Sequence, residues 1–201
     1  MRTGVLALQG AFAAHAAALE RLGASTREVR RTSQLDGLDG LVLPGGESTT
    51  LLRLMEDEPW FEALTAFHAR GAALLGTCAG AILLSRRVTG PAQRSLGLLH
   101  AEIRRNGFGR QIDSFERELA LTDGSTTVSG VFIRAPRFTA LGAEVEVLAE
   151  LNGEPVLVGQ RGILASTFHP ELTRDLWLHR RFLELAGRAE AATVDPATVA
   201  V

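Results

Sequence analysis

Apolar runs and helical segments alternate along the first half of the chain. Residues 3–8 form an apolar run that ends at Gln9-Gly10, and residues 11–22 then place apolar side chains at helical spacing. Strands and helices that alternate in this way predict a parallel sheet covered by helices on both faces. The same criteria predict further strands at 25–29, 41–43 and 72–75. They predict further helices at 49–55, 59–70 and 81–84, and Ser48 is the predicted N-cap of the helix over 49–55.

Short β-type runs replace helical periodicity after about residue 95. They predict antiparallel hairpins added to the sheet, and Asn152-Gly153 between two of the runs is a strong signal for a tight turn. A final amphipathic helix is predicted over 173–188. Small side chains without periodicity predict a flexible tail over 190–201, which leaves one domain over 1–189. The β-type runs lie at 98–103, 117–121, 127–133, 145–151, 155–160 and 163–167.

Composition narrows the functional classes. Hydrophobic residues make up 46% of the chain and charged residues 22%, and no window approaches the roughly 18 uninterrupted apolar residues of a membrane span. The net charge of -2 supplies no broad basic field for nucleic acid or an anionic membrane. All 21 basic residues are Arg, which excludes Lys nucleophiles, and the single Cys excludes an internal disulfide. A reducing, cytoplasmic setting is therefore expected.

The single cysteine, Cys78, lies between a buried-looking strand and an apolar helix. It is flanked by Gly76 and Gly80 in a G-x-C-x-G motif, which is typical of the strand-turn-helix elbow that presents a nucleophile. The N-terminus of the following helix favours a thiolate. The alternative is a buried structural cysteine, a common fate of a lone thiol. The flanking glycines and the partners below favour the nucleophile.

A nucleophilic thiol needs a base and a group that orients the base. His169 and Glu171, in F-H-P-E, stand two residues apart, so in an extended segment their side chains project to the same side. Glu171 can then accept a hydrogen bond from one imidazole nitrogen while the other faces the thiol. The remaining histidines have no comparable acid and are interpreted as surface or packing residues: His15, His68, His100 and His179.

Thiol attack on an amide carbon creates an oxyanion that requires N–H donors. The backbone N–H of Ala79, directly after Cys78, is one candidate. Gly46 offers a second, because Pro44-Gly45-Gly46-Glu47-Ser48 follows another strand and glycine lets the backbone approach a ligand closely. The alternative for this segment is a plain strand-to-helix turn.

These motifs together resemble class I (triad) glutamine amidotransferases, and among them the family of glutaminase subunits of pyridoxal 5'-phosphate synthase. The F-H-P-E and elbow motifs are shared by the wider superfamily, whereas the Gly-Glu-Ser-Thr-Thr and Phe-Ile-Arg-Ala-Pro motifs are more specific. Ala14 departs from the family, which commonly has an acidic residue before the early histidine; because this segment is expected outside the triad, only partner contacts are put in doubt. The resemblance is carried by GVLALQGAF at 4–12, LVLPGGESTTL at 41–51, LLGTCAGAILL at 74–84, RNGFGRQIDSFE at 105–116, GVFIRAPRF at 130–138 and FHPELTRD at 168–175.

The resemblance implies a flavodoxin-like α/β fold, a triad of Cys78, His169 and Glu171, and hydrolysis of glutamine through a thioester. It implies that ammonia passes to a separate synthase subunit, which forms pyridoxal 5'-phosphate from ribose 5-phosphate and glyceraldehyde 3-phosphate in a ring of twelve synthase and twelve glutaminase chains. Pyridoxal 5'-phosphate would be product, so no metal or cofactor is expected. Gln9 and Gly10 are expected to contact the partner. The implied glutamine-binding residues are Gly45, Gly46, Glu47, Ser48, Arg105, Ile133 and Arg134.

Three other functions remain open from the sequence. The glutaminase of imidazole glycerol phosphate synthase has a similar length, although the specific motifs argue against it. A catalytically silent binding module on the same fold would be expected to lose part of the triad, and all three residues are present. A stand-alone cysteine hydrolase is disfavoured because the Gly-Glu-Ser and arginine motifs suit an amino-acid amide.

Overall fold

Helices and strands alternate from Arg2 to Leu84, and strands dominate from Ser85 to Ser166. The computed structural model describes residues 1–105 and 114–193, with side chains as far as Arg188. Two short 3-10 helices span Thr32–Leu35 and Pro170–Leu172. The other elements are β1 (Arg2–Leu6), α1 (Phe12–Arg21), β2 (Ser25–Val29), β3 (Gly40–Leu43), α2 (Ser48–Leu54), α3 (Trp60–Ala69), β4 (Ala73–Thr77), α4 (Ala79–Leu84), β5 (Ser85–Thr89), β6 (Leu99–Arg104), β7 (Phe115–Ala120), β8 (Thr127–Phe132), β9 (Arg137–Leu141), β10 (Glu146–Leu151), β11 (Glu154–Gln160), β12 (Ile163–Ser166) and α5 (Trp177–Thr193).

A seven-stranded sheet with the order β10-β11-β12-β4-β3-β1-β2 forms the centre of the fold. The five strands from β12 to β2 are parallel, and β10 and β11 add to β12 as antiparallel strands. Every residue of β3, β4 and β12 is buried, which is what continuous apolar runs predict for strands covered on both faces. The predicted α/β class, with a mostly parallel sheet and added antiparallel strands, is confirmed.

Two hydrophobic clusters cover the two faces of this sheet. On one face, Leu51, Leu64 and Phe67 from α2 and α3 pack with the apolar side chains of α4. On the other face, Leu19 of α1 and Phe182 of α5 pack together against the sheet. The amphipathic helices therefore bury their apolar sides against the sheet, and the loops at the strand ends remain available for function.

The strands beyond α4 form two smaller sheets as well as the antiparallel edge. β5, β6 and β9 make a three-stranded sheet, and β7 pairs with β8. Asn152 and Gly153 join β10 to β11 with φ values of 53° and 78°, so the predicted tight turn is confirmed. Two strands, β5 and β9, were not predicted, because each is short and its exposed positions break the apolar run.

Several helix boundaries differ from the sequence prediction. Ser48 was predicted to cap α2, but Glu47 is the N-cap, because its carboxylate accepts the Thr50 N–H at 2.7 Å. The last helix begins at Trp177 rather than near residue 173, because Asp175 accepts the Trp177 N–H at 2.8 Å. That helix continues to Thr193, and the rest of the predicted tail, 194–201, lies outside the described residues. No helix within 1–105 and 114–193 is long and apolar enough to cross a membrane.

Candidate active site

The site lies at the carboxyl edge of the central sheet. Cys78 follows β4, and His169 follows β12 by three residues; these two strands are parallel neighbours, with Thr77 paired to Ser166. The Gly45-Gly46 segment follows β3, which pairs with β4 on its other side. Parallel strands bring their carboxyl ends to one edge, so residues distant in sequence meet there.

Cys78 occupies a strained elbow. Its φ of 48° lies in the left-handed region, which costs a non-glycine residue on the order of 1–3 kcal/mol and persists only where the surroundings enforce it. The Cys78 N–H donates to Ser166 O at 2.8 Å, which fixes the turn to β12. A Cβ on Gly80 would lie 1.9 Å from Leu43 O, so this glycine lets α4 pack directly against β3. The predicted strand-turn-helix elbow is present.

His169 lies between Cys78 and Glu171. Its Nδ1 is 2.8 Å from Glu171 Oε1, which leaves Nε2 as the nitrogen available to the Cys78 thiol. The backbone of His169 is held by Val131 of β8, whose carbonyl accepts the His169 N–H at 2.8 Å. The segment is not extended throughout as predicted: Pro170 starts a 3-10 turn that brings Glu171 back under the imidazole.

The charges of these three residues support one another. Burial by itself lowers the pKa of His169, but hydrogen bonds to Cys78 and Glu171, together with their negative charges, raise that pKa to about 10. Burial by itself raises the pKa of Glu171, but the His169 hydrogen bond and the nearby histidines lower it overall. The site therefore favours a protonated His169 beside an ionised Glu171.

A cavity of about 150 Å³ opens beside Cys78 and His169. Ile82, one turn along α4 from Cys78, contributes an apolar wall and was not predicted as a site residue. Gly45, Ala79 and Glu171 do not line the cavity, and Glu171 lies behind His169. The lining residues are Gly46, Glu47, Ser48, Cys78, Ile82, Arg105, Ile133, Arg134 and His169.

Opposite charges meet on the wall of this cavity. Hydrogen bonds from the Thr49 hydroxyl and the Thr50 N–H lower the pKa of Glu47 to about 2, so this side chain is a carboxylate. Arg105 Nη2 lies 3.4 Å from Glu47 Oε1. Arg134, two residues after the end of β8, is exposed and has a φ of 44°. Most of the arginine motif that begins at Arg105 lies outside the described residues.

The Gln9-Gly10 turn lies directly against the Gly45-Gly46 segment. Gln9 Oε1 accepts the Glu47 N–H at 3.1 Å, and a Cβ on Gly10 would lie 1.8 Å from Gly45 O. Gly46 has a φ of 142°, a conformation that only glycine adopts readily. The N–H groups of Gly46 and Ala79 as oxyanion donors stay a prediction, as does the contact of Gln9 and Gly10 with a partner.

His15 and His179 form a buried polar pair next to the triad acid, with His15 Nδ1 2.9 Å from His179 Nε2. Both side chains are fully buried, and His15 Nε2 lies 3.3 Å from Glu171 Oε2, so the segment expected outside the triad does reach the triad acid. The sequence carries a signal for this burial: His15 shares a helix face with Ala18 and Leu19, and His179 shares one with Phe182 and Leu183. A histidine on a core-facing helix surface requires a polar partner inside.

No three His, Cys, Asp or Glu side chains within 1–105 and 114–193 are grouped so that they could hold a metal ion. A cysteine on an elbow, a histidine and a buried carboxylate at the carboxyl edge of a mostly parallel sheet define the class of triad cysteine amidohydrolases. Within that class, the chain belongs to the SNO glutamine amidotransferase family, which it matches over residues 5–187.

Curated relatives and solved structures agree with this family. A pyridoxal 5'-phosphate synthase subunit PdxT from Deinococcus radiodurans is 52% identical over 192 residues, which covers 93% of this chain and 98% of the relative. A PdxT subunit from Thermus thermophilus is 54% identical over 186 residues and covers 92% and 97%. A crystal structure of a glutamine amidotransferase has a TM-score of 0.86 at 52% identity, covering 92% of this chain and 98% of that one. The predicted resemblance is confirmed.

A more distant structure agrees in fold alone. A putative GMP synthase component from Thermoplasma acidophilum has a TM-score of 0.71 at 18% identity and covers 97% of this chain and 98% of its own. At this identity the shared architecture does not identify a substrate. The two structures together place the chain in the α/β fold of class I amidotransferases.

Proposed function

We propose that this chain hydrolyses L-glutamine to L-glutamate and ammonia and supplies the ammonia to a synthase subunit that forms pyridoxal 5'-phosphate. One observation carries the proposal: a single cavity is lined by Cys78, His169, a carboxylate from Glu47 and two arginines. Glutamine presents an amide for the thiol, an α-ammonium for a carboxylate and an α-carboxylate for a guanidinium. Few other small amides carry all three groups.

The reaction uses Cys78 and His169 in two stages. The Cys78 thiolate attacks the side-chain amide carbon, and the resulting oxyanion is stabilised by the N–H groups of Gly46 and Ala79. His169 gives its proton to the departing nitrogen, the C–N bond breaks, and ammonia leaves a γ-glutamyl thioester. His169 then accepts a proton from water, which attacks the thioester and releases glutamate and the thiolate. Glu171 keeps the imidazole oriented throughout.

Glutamine is held by the charged wall of the cavity. The Glu47 carboxylate, ionised by its bonds to the threonines that follow it, accepts from the α-ammonium. Arg105 and Arg134 donate to the α-carboxylate. Ser48 and the Gly46 backbone contact the polar groups, and Ile133 bounds the aliphatic part of the side chain.

The ammonia acceptor is a separate synthase subunit. Relatives at 52% and 54% identity are named as subunits of pyridoxal 5'-phosphate synthase, and alignments that span nearly all of both chains support the same partnership here. The expected assembly is a cytoplasmic ring of twelve synthase chains that carries twelve chains of this protein. Ribose 5-phosphate and glyceraldehyde 3-phosphate are the carbon substrates of the synthase.

Contact with the synthase is expected to control the rate. The Gln9-Gly10 turn touches the Gly45-Gly46 segment, so a partner that presses on the turn can reorient the Gly46 peptide. Glycine peptides reorient without a Cβ penalty, which makes this segment the movable part of the oxyanion site. An isolated chain with an incomplete site wastes little glutamine.

The experiment is steady-state ammonia release from L-glutamine, with the synthase subunit of the same genome titrated from zero to excess. The expected result is slow hydrolysis alone, acceleration with the partner, and no activity for Cys78→Ala in either condition. Pyridoxal 5'-phosphate formation with glutamine as the nitrogen source tests the transfer of ammonia. Absence of glutamine hydrolysis by a demonstrated complex would overturn the function, whereas an unchanged rate would overturn only the control by the partner.

A further inference from the structure

A buried polar chain runs from the triad acid to helix α5. Glu171 uses its two oxygens for two different histidines: Oε1 lies 2.8 Å from His169 Nδ1, and Oε2 lies 3.3 Å from His15 Nε2. His15 Nδ1 lies 2.9 Å from Nε2 of His179. His15 is fully buried and belongs to α1, the helix that comes after the loop following β1. The triad acid therefore has a histidine nitrogen close to each of its two carboxylate oxygens.

The same imidazole reaches the loop that carries the predicted oxyanion donor. His15 Nε2 is 3.2 Å from Thr77 Oγ1, and Thr77 Oγ1 accepts the Gly45 N–H at 2.9 Å. His15 Nε2 is placed for a hydrogen bond with Thr77 Oγ1. Its contact with Glu171 Oε2 is close but is not a hydrogen bond, so the carboxylate interacts there with the dipole of the imidazole. One ring nitrogen thus stands between the acid of the triad and the residue that anchors Gly45.

The neighbours of His15 assign its tautomer. Burial lowers the pKa of His15 to about 4, so the ring is neutral and carries one N–H. The Glu171 carboxylate can only accept, so the proton belongs on Nε2, and Nδ1 must accept from His179 Nε2–H. The opposite tautomer would point a lone pair at the carboxylate and leave a buried N–H on His179 Nδ1, which has no hydrogen-bond partner among the described residues.

We propose that His15 is a positioning residue of the glutaminase site: its neutral Nε2–H orients Glu171 and, through Thr77, the Gly45 backbone. The proposal rests on the proposed function. Loss of the donor leaves Glu171 Oε2 buried without its polar contact, so the carboxylate and the His169 ring it holds gain freedom to shift. Misplacement of a catalytic group by about 1 Å can cost about 100-fold in rate.

Two variants of matched shape test the donor. Gln and Met have similar length and flexibility, but only Gln carries an N–H group near the position of Nε2. With L-glutamine and saturating synthase subunit, His15→Met is expected to lower kcat by about 10- to 100-fold, with KM within about threefold of wild type. His15→Gln is expected to keep most of the wild-type kcat. Thr77→Val and Thr77→Ser form a second pair with the same expected order.

The acidic limb of the pH profile of kcat distinguishes a positioning role of His15 from a role in packing alone. The titratable groups that face His15 are Glu171, His169 and His179. Without the His15 dipole the Glu171 carboxylate is less stabilised, so the limb is expected to move to higher pH in His15→Met and to stay in place in His15→Gln. Equal loss of kcat in both variants, with an unmoved limb, would overturn the role, as would unchanged kcat in His15→Met.

Imidazole ¹⁵N NMR of the wild-type chain tests the assignment without any activity. Protonated Nε2 and bare Nδ1 are expected on both His15 and His179 near neutral pH, with signals assigned from the His15→Gln and His179→Gln variants. A proton on Nδ1 of His15 would overturn the proposal even if glutamine is hydrolysed. An inactive wild-type complex with the expected tautomers would instead contradict the proposed function, and with it the role of His15 in that reaction.

Discussion

Gly45 lies against the ring of His169: a Cβ built on Gly45 would be 2.4 Å from His169 Cε1 and 2.8 Å from Nδ1. The same Cβ would be 3.3 Å from Cys78 Cβ. No side chain fits there. The loop after β3 can approach the imidazole this closely only because residue 45 has no Cβ. Glycine is needed at this position for close approach and not for an unusual φ.

Gly45→Ala is expected to lower kcat/KM by at least about 100-fold, because the added methyl displaces the imidazole from the thiol. The clash falls on a side chain, so the free energy of unfolding should change by less than about 2 kcal/mol. Ammonia release and urea unfolding measure the two effects.

Gly159→Ala is the matched control for Gly45→Ala. Its added Cβ would lie 3.4 Å from the nearest atom, Leu148 Cδ1, which is an ordinary contact far from the cavity. Wild-type kcat/KM in Gly45→Ala would show that the base is not where the structure places it.

Cys78→Ala is expected to abolish glutamine hydrolysis, because the chain contains no other thiol to form the thioester. His169→Asn should be nearly as severe. Glu171→Gln should be milder, because this residue orients the base without itself exchanging a proton. Ammonia release from L-glutamine with saturating synthase subunit provides the comparison. Residual activity above roughly 1% in Cys78→Ala would refute the thioester mechanism, since loss of a triad nucleophile costs several orders of magnitude.

Arg105→Ala and Arg134→Ala are expected to raise the KM for glutamine by at least about tenfold, since a hydrogen bond to a charged group contributes about 1.5–3 kcal/mol. The kcat should change little, because neither residue contacts the reacting amide. Arg104→Ala is the matched control, as Arg104 is the exposed neighbour of Arg105. If both variants keep the wild-type KM and kcat, the α-carboxylate is bound elsewhere.

Glu47→Gln is expected to raise KM in the same way, because it removes the negative charge that faces the α-ammonium. Glu47→Ala also removes the cap of α2, which typically costs about 1 kcal/mol of folding stability. Comparing urea midpoints and KM for the two variants separates binding from capping. An unchanged KM in Glu47→Gln would exclude an ionic contact with the substrate.

Stability is expected to be greatest near pH 6.5. Burial lowers the pKa of His15 to about 4 and that of His179 to about 3, so between pH 6.5 and 4 the unfolded chain binds protons that the folded chain does not. The free energy of unfolding therefore falls as pH falls through this range. The raised pKa of His169 acts in the opposite direction: its contribution is complete below pH 6.5 and is lost as pH rises toward 10.

Urea unfolding at about pH 5, 6.5 and 9 measures both slopes. The double variant His15→Gln/His179→Gln should flatten the acidic slope, and Cys78→Ala should reduce the alkaline one by removing the partner of the imidazolium. An acidic slope that persists unchanged in the double variant would contradict the assignment to these two histidines.

The sequence predicted those parts of the fold that depend on local patterns. Continuous apolar runs identified β3 and β4, and Asn152-Gly153 identified a hairpin turn, because both signals reside in adjacent residues. The start of α5 was missed because the cap depends on one carboxylate, Asp175, meeting one backbone N–H. The strand β9 was missed because its exposed positions break the apolar run.

Prediction of the site had the same limit. Cys78 and the F-H-P-E motif carry their chemistry in a few consecutive residues, and the structure brings them together. His15 and Thr77 are harder to predict, because each acts through a residue far away in the chain. Ile82 lies only one turn from Cys78, but an apolar side chain in an apolar helix gives no sign that it lines a cavity. A polar residue on the apolar face of a predicted helix is the signal that could have indicated His15.

The pairing of β12 with β4 has a consequence for protein synthesis. The nucleophile, Cys78, is synthesised some ninety residues before its base and its orienting acid, which lie beyond the last strand of the sheet. Closing so long a loop requires that most of the sheet is already assembled. A growing polypeptide therefore carries Cys78 without its base and its orienting acid until β12 and the residues after it have been synthesised, so a working site forms only once the whole central sheet can assemble.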